Sequence, residues 1–193
     1  MMEKRGFTSN RERKLWLWAL SVLIAIYGTL FFGGQLIDFM IERRIIEQTT
    51  FYLFLLLILA PIISGWKSSD QKLGFWVYAG VMAVYGMALL RMDLTVAERS
   101  HIFEYGLLGV LVHEALIERK SNGAKVKTPA LVAILGVGTI GLLDECIQYL
   151  IPYRVFDLVD IGFNYLASAF GVLTSVGVSW LQSVFIGRFK NKS

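Results

Sequence analysis

Apolar segments separated by short polar segments dominate the hydropathy pattern of the chain. Each segment has roughly the 20 residues that an α-helix needs to cross a bilayer. We therefore predict an all-α membrane protein, a bundle of about six transmembrane helices. These predicted spans one to six cover residues 15–37, 45–66, 73–90, 100–117, 128–151 and 160–186. Because the connections are short, we expect antiparallel neighbours within a single membrane domain, residues 1–193.

Composition agrees with this pattern. The 193 residues are 55% hydrophobic and 18% charged, whereas soluble domains average about 25% charged residues. The residues outside the spans are too few and too scattered for a soluble catalytic domain of ordinary size. The single cysteine, Cys146, excludes an intramolecular disulfide and a multi-cysteine metal site. We predict no cofactor and no resident metal.

The positions of lysine and arginine predict the orientation. With the N-terminus in the cytoplasm, fourteen of these residues lie on the inner side and five on the outer side. The positive-inside rule then places both termini in the cytoplasm. The basic start leads into an apolar run that is too long for a cleaved signal peptide, so we expect an uncleaved signal anchor. Topology and anionic lipids account for the basic charge, and no nucleic-acid partner is expected.

Polar residues gather where spans four, five and six approach the outer surface. Asp144 or Glu145 shares a helix face with Gln148 by spacing. On span six, polar and small residues occupy one face, which allows a neighbouring helix to approach closely. We predict an outward-facing polar pocket ringed by Glu104, Glu145, Asp160 and Asn164, beneath Arg99 and Arg154. The candidate binding residues are His101, Glu104, Asp144, Glu145, Gln148, Arg154, Asp157, Asp160 and Asn164.

Structural alternatives exist for these residues. Glu104 and Glu145 are the candidate catalytic groups, because carboxylates inside a membrane are costly and commonly functional. Pairing between helices, for instance with Arg99 or Arg154, is the structural alternative for them. Asp157 or Asp160 suits the N-cap of span six. Arg154 suits a lipid phosphate or Asp157 as well as a substrate.

For three further sets of residues, a structural role is favoured over a functional one. His101 with Glu104 is a weak signal for a divalent cation, since one histidine and scattered carboxylates rarely define a site. Cys146 is expected to pack in an apolar helix rather than act as a nucleophile. His113 and Glu114 lie near the cytoplasmic end of span four, where we expect them to reach towards the membrane interface.

Three sequence blocks resemble the VanZ-like family of integral membrane proteins. They read Glu98-Arg99-x-His101-x-Phe103-Glu104-Tyr105-x-Leu107-Leu108-Gly109, then Leu143-Asp144-Glu145-x-x-Gln148, then Pro152-x-Arg154-x-x-Asp157-x-x-Asp160-x-x-x-Asn164. The resemblance covers residues 73–173 and departs from the family at Tyr153, where glycine is usual. It implies a role in resistance to teicoplanin-type glycopeptide antibiotics in the bacterial cell envelope. It supplies no catalytic residues.

Two classes of function follow. In the first, a plasma-membrane protein binds an envelope or lipid component in its pocket and contributes to antibiotic resistance. Its partners are membrane lipids and either a lipid-linked cell-envelope precursor or the glycopeptide. In the alternative, an intramembrane hydrolase or transferase acts on such a precursor or on a phospholipid, with Glu104 or Glu145 as acid or base. A proton-coupled exporter is less favoured, because the carboxylates gather near one side.

Overall fold

The computed structural model of the chain describes residues 6–43, 96–151 and 156–190, which form four α-helices. They are α1 (Asn10–Glu42), α2 (Val96–Ser121), α3 (Pro129–Tyr149) and α4 (Leu158–Lys190). These correspond to predicted spans one, four, five and six, and no strand occurs in the described part of the chain. The all-α class is confirmed. Spans two and three lie outside the described residues, so the six-helix count and the location of the termini stay predictions.

Two of the helices are long and apolar enough to cross a membrane, by length and composition. They are α3, over Pro129–Tyr149, and α4, over Leu158–Trp180. Both carry large apolar side chains that are exposed, among them Leu135, Leu166 and Leu173. A contiguous exposed apolar surface marks an interaction with lipid or with another protein. These features support membrane association.

Local hydrogen bonds explain why α1 begins at Asn10, before the predicted start of span one. Ser9 is the N-cap, since its hydroxyl accepts the Glu12 N–H at 3.0 Å. The Glu12 carboxylate turns back and accepts hydrogen bonds from the Thr8 N–H at 2.6 Å and the Thr8 hydroxyl at 2.7 Å. This resembles a capping box, in which a Ser and a Glu three residues later satisfy the first turn reciprocally.

Small residues allow α4 to approach α2 closely. A side chain at Gly171 would overlap the backbone carbonyl oxygen of Gly106 on α2. One turn away, a Cβ at Gly109 would lie 2.8 Å from the Ser168 carbonyl oxygen. Such contacts are typical of closely packed helices in membranes. The predicted small-residue face of span six is therefore confirmed.

An apolar core completes the packing of α2, α3 and α4. Leu116, Ala133 and Val172 are buried together, one from each helix. Trp16 of α1 packs against this group. The close contacts of α4 and this core set the relative positions of the polar side chains described below.

The chain divides into two compact units. The first comprises residues 1–30 and 95–175, and the second comprises residues 31–94 and 176–193. Every polar cluster described below belongs to the first unit. Within the second unit, the Arg43 guanidinium lies 5.4 Å from the centre of the Phe39 ring.

Candidate functional site

A buried polar cluster lies where α3 ends and α4 begins, and we call it the junction cluster. Its members are Asp144, Glu145, Gln148, Asp157 and Asn164. Glu145 and Asn164 are 0% exposed, and Asp144 and Gln148 are also buried, whereas Asp157 is exposed. Hydrogen bonds link four of these predicted binding residues to one another, and the fifth, Asn164, bonds to Gly141, about one helical turn before Asp144 and Glu145.

Gln148 bridges the two adjacent carboxylates of the junction cluster. Its amide nitrogen donates to Glu145 Oε1 at 3.0 Å and to Asp144 Oδ2 at 3.3 Å. A primary amide has two N–H groups, so both hydrogen bonds form at once. The predicted sharing of a helix face is confirmed for both carboxylates.

The second oxygen of Glu145 reaches the start of α4. Glu145 Oε2 accepts the backbone N–H of Asp157 at 3.2 Å. Asp157 Oδ1 in turn accepts the Val159 N–H at 2.7 Å, which makes Asp157 the N-cap of α4. The N-cap prediction is therefore confirmed for Asp157, and Asp160 lies in the first helical turn. Carboxylates are favourable here because the N-terminal end of a helix carries partial positive charge.

The junction cluster also contacts the middle of α3 and one side chain of α2. The Asn164 amide donates to the Gly141 carbonyl oxygen at 3.4 Å, across helices that approach closely because Gly141 has no side chain. Tyr105 of α2 is fully buried, and its phenol lies near enough to Asp144 to interact with that carboxylate. Three helices therefore contribute to this polar region.

The remaining predicted site residues are either partly exposed or outside the described part of the chain. Glu104 and Asp160 are both partly exposed, on α2 and α4 respectively. Arg154 and the side chains of Arg99 and His101 lie outside the described residues. The predicted ring of Glu104, Glu145, Asp160 and Asn164 beneath two arginines thus stays a prediction.

Metal and thiol chemistry find little support in the described ranges. Within residues 6–43, 96–151 and 156–190, no group of three or more His, Cys, Asp and Glu side chains is arranged to hold a metal ion. The Cys146 side chain is exposed, and it belongs to the apolar helix α3.

A second polar cluster, which sequence reasoning did not find, joins the start of α1 to the end of α2. We call it the N-terminal cluster, and its members are Thr8, Ser9, Arg11, Glu12, Glu114, Glu118 and Arg119. Arg119 Nη1 lies 2.8 Å from Glu12 Oε1. Arg11 pairs with Glu114 at 3.0 Å and with Glu118 at 2.9 Å. The sequence signal was the Ser9-x-x-Glu12 capping box, which marks a helix start before the apolar run.

Electrostatics favours the ionised form of the glutamates in the N-terminal cluster. Burial by itself raises the pKa of Glu12, but hydrogen bonds from Thr8 and Arg119 outweigh burial and hold the pKa below its ordinary value. The pKa of Glu118 is lowered chiefly by the hydrogen bond from the Ser9 hydroxyl, with further contributions from Asn122 and Arg11. Both carboxylates therefore remain charged at neutral pH.

His113 lies next to the N-terminal cluster, inside the bundle. It is 4% exposed, and its Nδ1 is 2.9 Å from the Ser175 hydroxyl oxygen of α4. The Ser175 hydroxyl donates to Glu114 Oε1 at 2.6 Å. The expectation that His113 extends to the membrane interface is therefore wrong, because Ser175 gives it a polar partner in the interior.

The chain was compared with protein-family models, with curated proteins and with solved structures, and no match was found.

Proposed function

We propose that this chain is a VanZ-like, multi-pass protein of the bacterial cytoplasmic membrane that contributes to resistance against teicoplanin-type glycopeptides. The junction cluster faces the extracytoplasmic side and binds an envelope or lipid component. One observation carries the proposal. Two adjacent carboxylates, Asp144 and Glu145, are buried at one end of α3, a helix apolar enough to span a membrane.

The cost of burial is the physical reason to assign a function to these groups. An ionised carboxylate in a membrane helix costs about 2.5–3.5 kcal/mol even on the mildest scale, so such residues are retained mainly where they act. Carboxylate oxygens accept hydrogen bonds from the hydroxyl and amine groups of sugars and peptides. A lipid-linked cell-envelope precursor and a glycopeptide both carry such donors. The proposed ligand therefore matches the acceptors of the junction cluster.

The hydrogen bonds of Gln148 favour an enzyme as the second candidate. One amide nitrogen lies within 3.3 Å of oxygens on both Asp144 and Glu145, so the two carboxylates are near neighbours. Neighbouring carboxylates titrate as a pair, and one of them retains a proton more readily than an isolated group. A retained proton suits general acid catalysis on a lipid-linked precursor or a phospholipid. Glu145 is then the acid or base, and Arg154 holds a phosphate.

Antibiotic tolerance tests the proposal directly. The chain is expressed in a susceptible bacterium, and the inhibitory concentration of teicoplanin is measured with the abundance of protein in the membrane. Asn164→Ala and Arg154→Ala should lower tolerance at unchanged abundance. Glu145→Gln and Glu104→Gln test the two candidate catalytic groups. Cys146→Ser is the matched control, because Cys146 adjoins Glu145 in sequence but is exposed.

The pattern of loss separates the two candidates. Loss with Glu145→Gln alone indicates proton transfer, because glutamine keeps the shape of the side chain but cannot titrate. Graded loss across all the variants indicates binding. If every variant is abundant and as protective as the wild type, the junction cluster has no part in resistance. If the wild type itself gives no protection, the antibiotic role is wrong.

Cysteine labelling tests the proposed orientation. In a Cys146→Ser background, single cysteines are placed at Asn122, after α2, and at Phe156, before α4; both positions are exposed. A membrane-impermeant maleimide added to intact cells should label Phe156→Cys and reach Asn122→Cys only after the cells are permeabilised. The reverse pattern would place the junction cluster on the cytoplasmic side.

A further inference from the structure

A hydrogen-bonded chain of three side chains connects the interior of the bundle to its surface. It runs from His113 of α2 through Ser175 of α4 to Glu114 of α2. The histidine is 4% exposed and the serine is 0% exposed. Glu114 is partly exposed and pairs with Arg11, whose side chain is 63% exposed. A titratable ring inside the protein is thus linked through one hydroxyl to a carboxylate at the surface.

The Ser175 hydroxyl has a single proton, and this determines which ring nitrogen of His113 carries a hydrogen. A serine hydroxyl has one proton, and an ionised carboxylate only accepts hydrogen bonds. Since Ser175 donates to Glu114 at 2.6 Å, it must accept from His113 at 2.9 Å. His113 Nδ1 therefore carries a hydrogen, and in the neutral ring Nε2 has the lone pair. This tautomer places the proton-accepting nitrogen on the side of the ring away from Ser175.

We propose that His113, Ser175 and Glu114 form a proton-binding site inside the bundle. A proton taken up from a hydronium ion at the lone pair of His113 Nε2 gives an imidazolium and water, while Nδ1–H still donates to Ser175 and Ser175 still donates to Glu114. The negative charge of Glu114 then balances the positive charge of the ring through the Ser175 hydroxyl. The net change is one N–H bond formed and one proton gained by the site, and loss of the Nε2 proton reverses it.

Burial opposes a charge on the His113 ring, and Glu114, the nearest charged group, partly offsets this effect. An opposite charge at short range stabilises the protonated ring. From α1, Arg11 faces Glu114 and Glu12 pairs with Arg119. Glu118 is held by Arg11 as well. The titratable residues of α3 all follow residue 143, near the opposite end of that helix.

Contacts between α2 and α4 separate this site from the junction cluster. Asn164 and Ser175 are about 16 Å apart along α4, by the rise of the helix. Between them, Gly171 meets the backbone carbonyl of Gly106 so closely that no side chain fits. The proposal is therefore independent of the function proposed for the junction cluster.

Nitrogen-15 NMR of the full chain with labelled histidine tests the proposal. The chain has only two histidines, so His101→Gln assigns both signals. At neutral pH the His113 ring should be neutral, with its hydrogen on Nδ1. As the pH is lowered while the protein stays folded, it should gain a second proton reversibly. A ring with its hydrogen on Nε2, or one that stays neutral at every pH where the protein is folded, would overturn the proposal without any variant.

Variants of the two partners sharpen the test. Ser175→Ala should remove the preference for the Nδ1 hydrogen, since no acceptor remains there. Glu114→Gln should weaken proton binding by the ring at least about tenfold, because a neighbouring opposite charge is lost. Ser168→Ala is the matched control; Ser168 is equally buried on α4 but donates to Ile134 at 3.4 Å. If Ser175→Ala and Ser168→Ala behave alike, Ser175 has no part in the proton-binding site and His113 is simply a packed core residue.

Discussion

The junction cluster and the N-terminal cluster each bury a glutamate completely, and they satisfy the two carboxylates by different means. Glu12 is held by the guanidinium of Arg119 and by two donors of Thr8. Glu145 accepts hydrogen bonds from the amide of Gln148 and the backbone N–H of Asp157. The partner Arg119 lies 107 positions after Glu12 in the chain, whereas Gln148 and Asp157 lie 3 and 12 positions after Glu145. We therefore assign Glu12 a structural role, because its ion pair joins the start of α1 to the end of α2.

The largest effect is expected for Arg119→Met, which leaves Glu12 buried without its cation. Removing one partner of a fully buried ion pair costs about 3–5 kcal/mol, because the other charge remains. Arg119 is 40% exposed, so solvent reduces the loss to about 2–3 kcal/mol. Denaturant unfolding in detergent measures it. Lys120→Met is the matched control, since the neighbouring Lys120 is exposed, and equal losses for both variants would contradict a special role for Arg119.

The pH dependence of stability should separate the two glutamates. The pKa of folded Glu12 lies below its ordinary value of 4.5. Its stabilising contribution is therefore complete above pH 4.5 and is lost as the pH falls through the lower, folded value. Glu12→Gln should reduce the loss of stability in an unfolding titration below pH 4.5, and the part that remains includes the contribution of Glu118, whose folded pKa is also lowered. If wild type and Glu12→Gln lose stability in parallel on acidification, another group is responsible.

Packing between the two clusters is tested by Gly171→Ala. The new methyl group would overlap the backbone carbonyl of Gly106, which cannot turn away as a flexible side chain would. Overpacking of this kind costs about 1–3 kcal/mol. Gly162→Ala is the control on the same helix, because nothing lies within 4 Å of its Cβ position. It should be neutral or stabilising, since alanine is the better helix former. Equal effects at both sites would contradict the close approach of α2 and α4.

The two clusters also differ in what the sequence reveals. Asp144, Glu145 and Gln148 interrupt an apolar span, and helical spacing predicts their shared face. The N-cap role of Asp157 follows equally from its position before an apolar run. The four described helices and the small-residue face of α4 were predictable for the same reason. Local periodicity is enough to predict contacts between residues of one helix, or between a helix and the residues that adjoin it.

The N-terminal cluster could not be predicted by this reasoning, because its partners are far apart in sequence. Arg119 and Glu12 lie at the ends of different helices, and no periodic pattern pairs them. Ser175 is one of several small polar residues on α4, and only tertiary packing selects it as the partner of His113. Hydropathy predicts that His113 lies near the membrane interface. Its burial beside the Ser175 hydroxyl could not be predicted, because it depends on how α2 and α4 approach each other.

A moderate effect is expected at Glu145, which accepts a hydrogen bond from the Asp157 N–H at the start of α4. Glu145→Ala removes an acceptor of the Asp157 N–H at the start of α4, and a lost helix-terminal hydrogen bond of this kind costs about 1 kcal/mol. Glu145→Gln keeps an acceptor oxygen and should be closer to the wild type. Unfolding of both variants is compared with that of Cys146→Ser. If Glu145→Gln destabilises as much as Glu145→Ala, charge rather than hydrogen bonding holds the junction.

The smallest effect is expected for Arg11→Ala, although Arg11 makes two ion pairs and Arg119 makes one. Arg11 is 63% exposed, and exposed pairs contribute about 0.2–1 kcal/mol each at most, since water screens them and ordering a long side chain costs entropy. The loss should shrink further in concentrated salt, because the screening length falls from about 10 Å at 0.1 M to about 3 Å at 1 M. The Arg119→Met loss should change less with salt, since Glu12 is buried. A larger loss for Arg11→Ala than for Arg119→Met would mean that the number of ion pairs, rather than burial of the carboxylate, determines the strength of the N-terminal cluster.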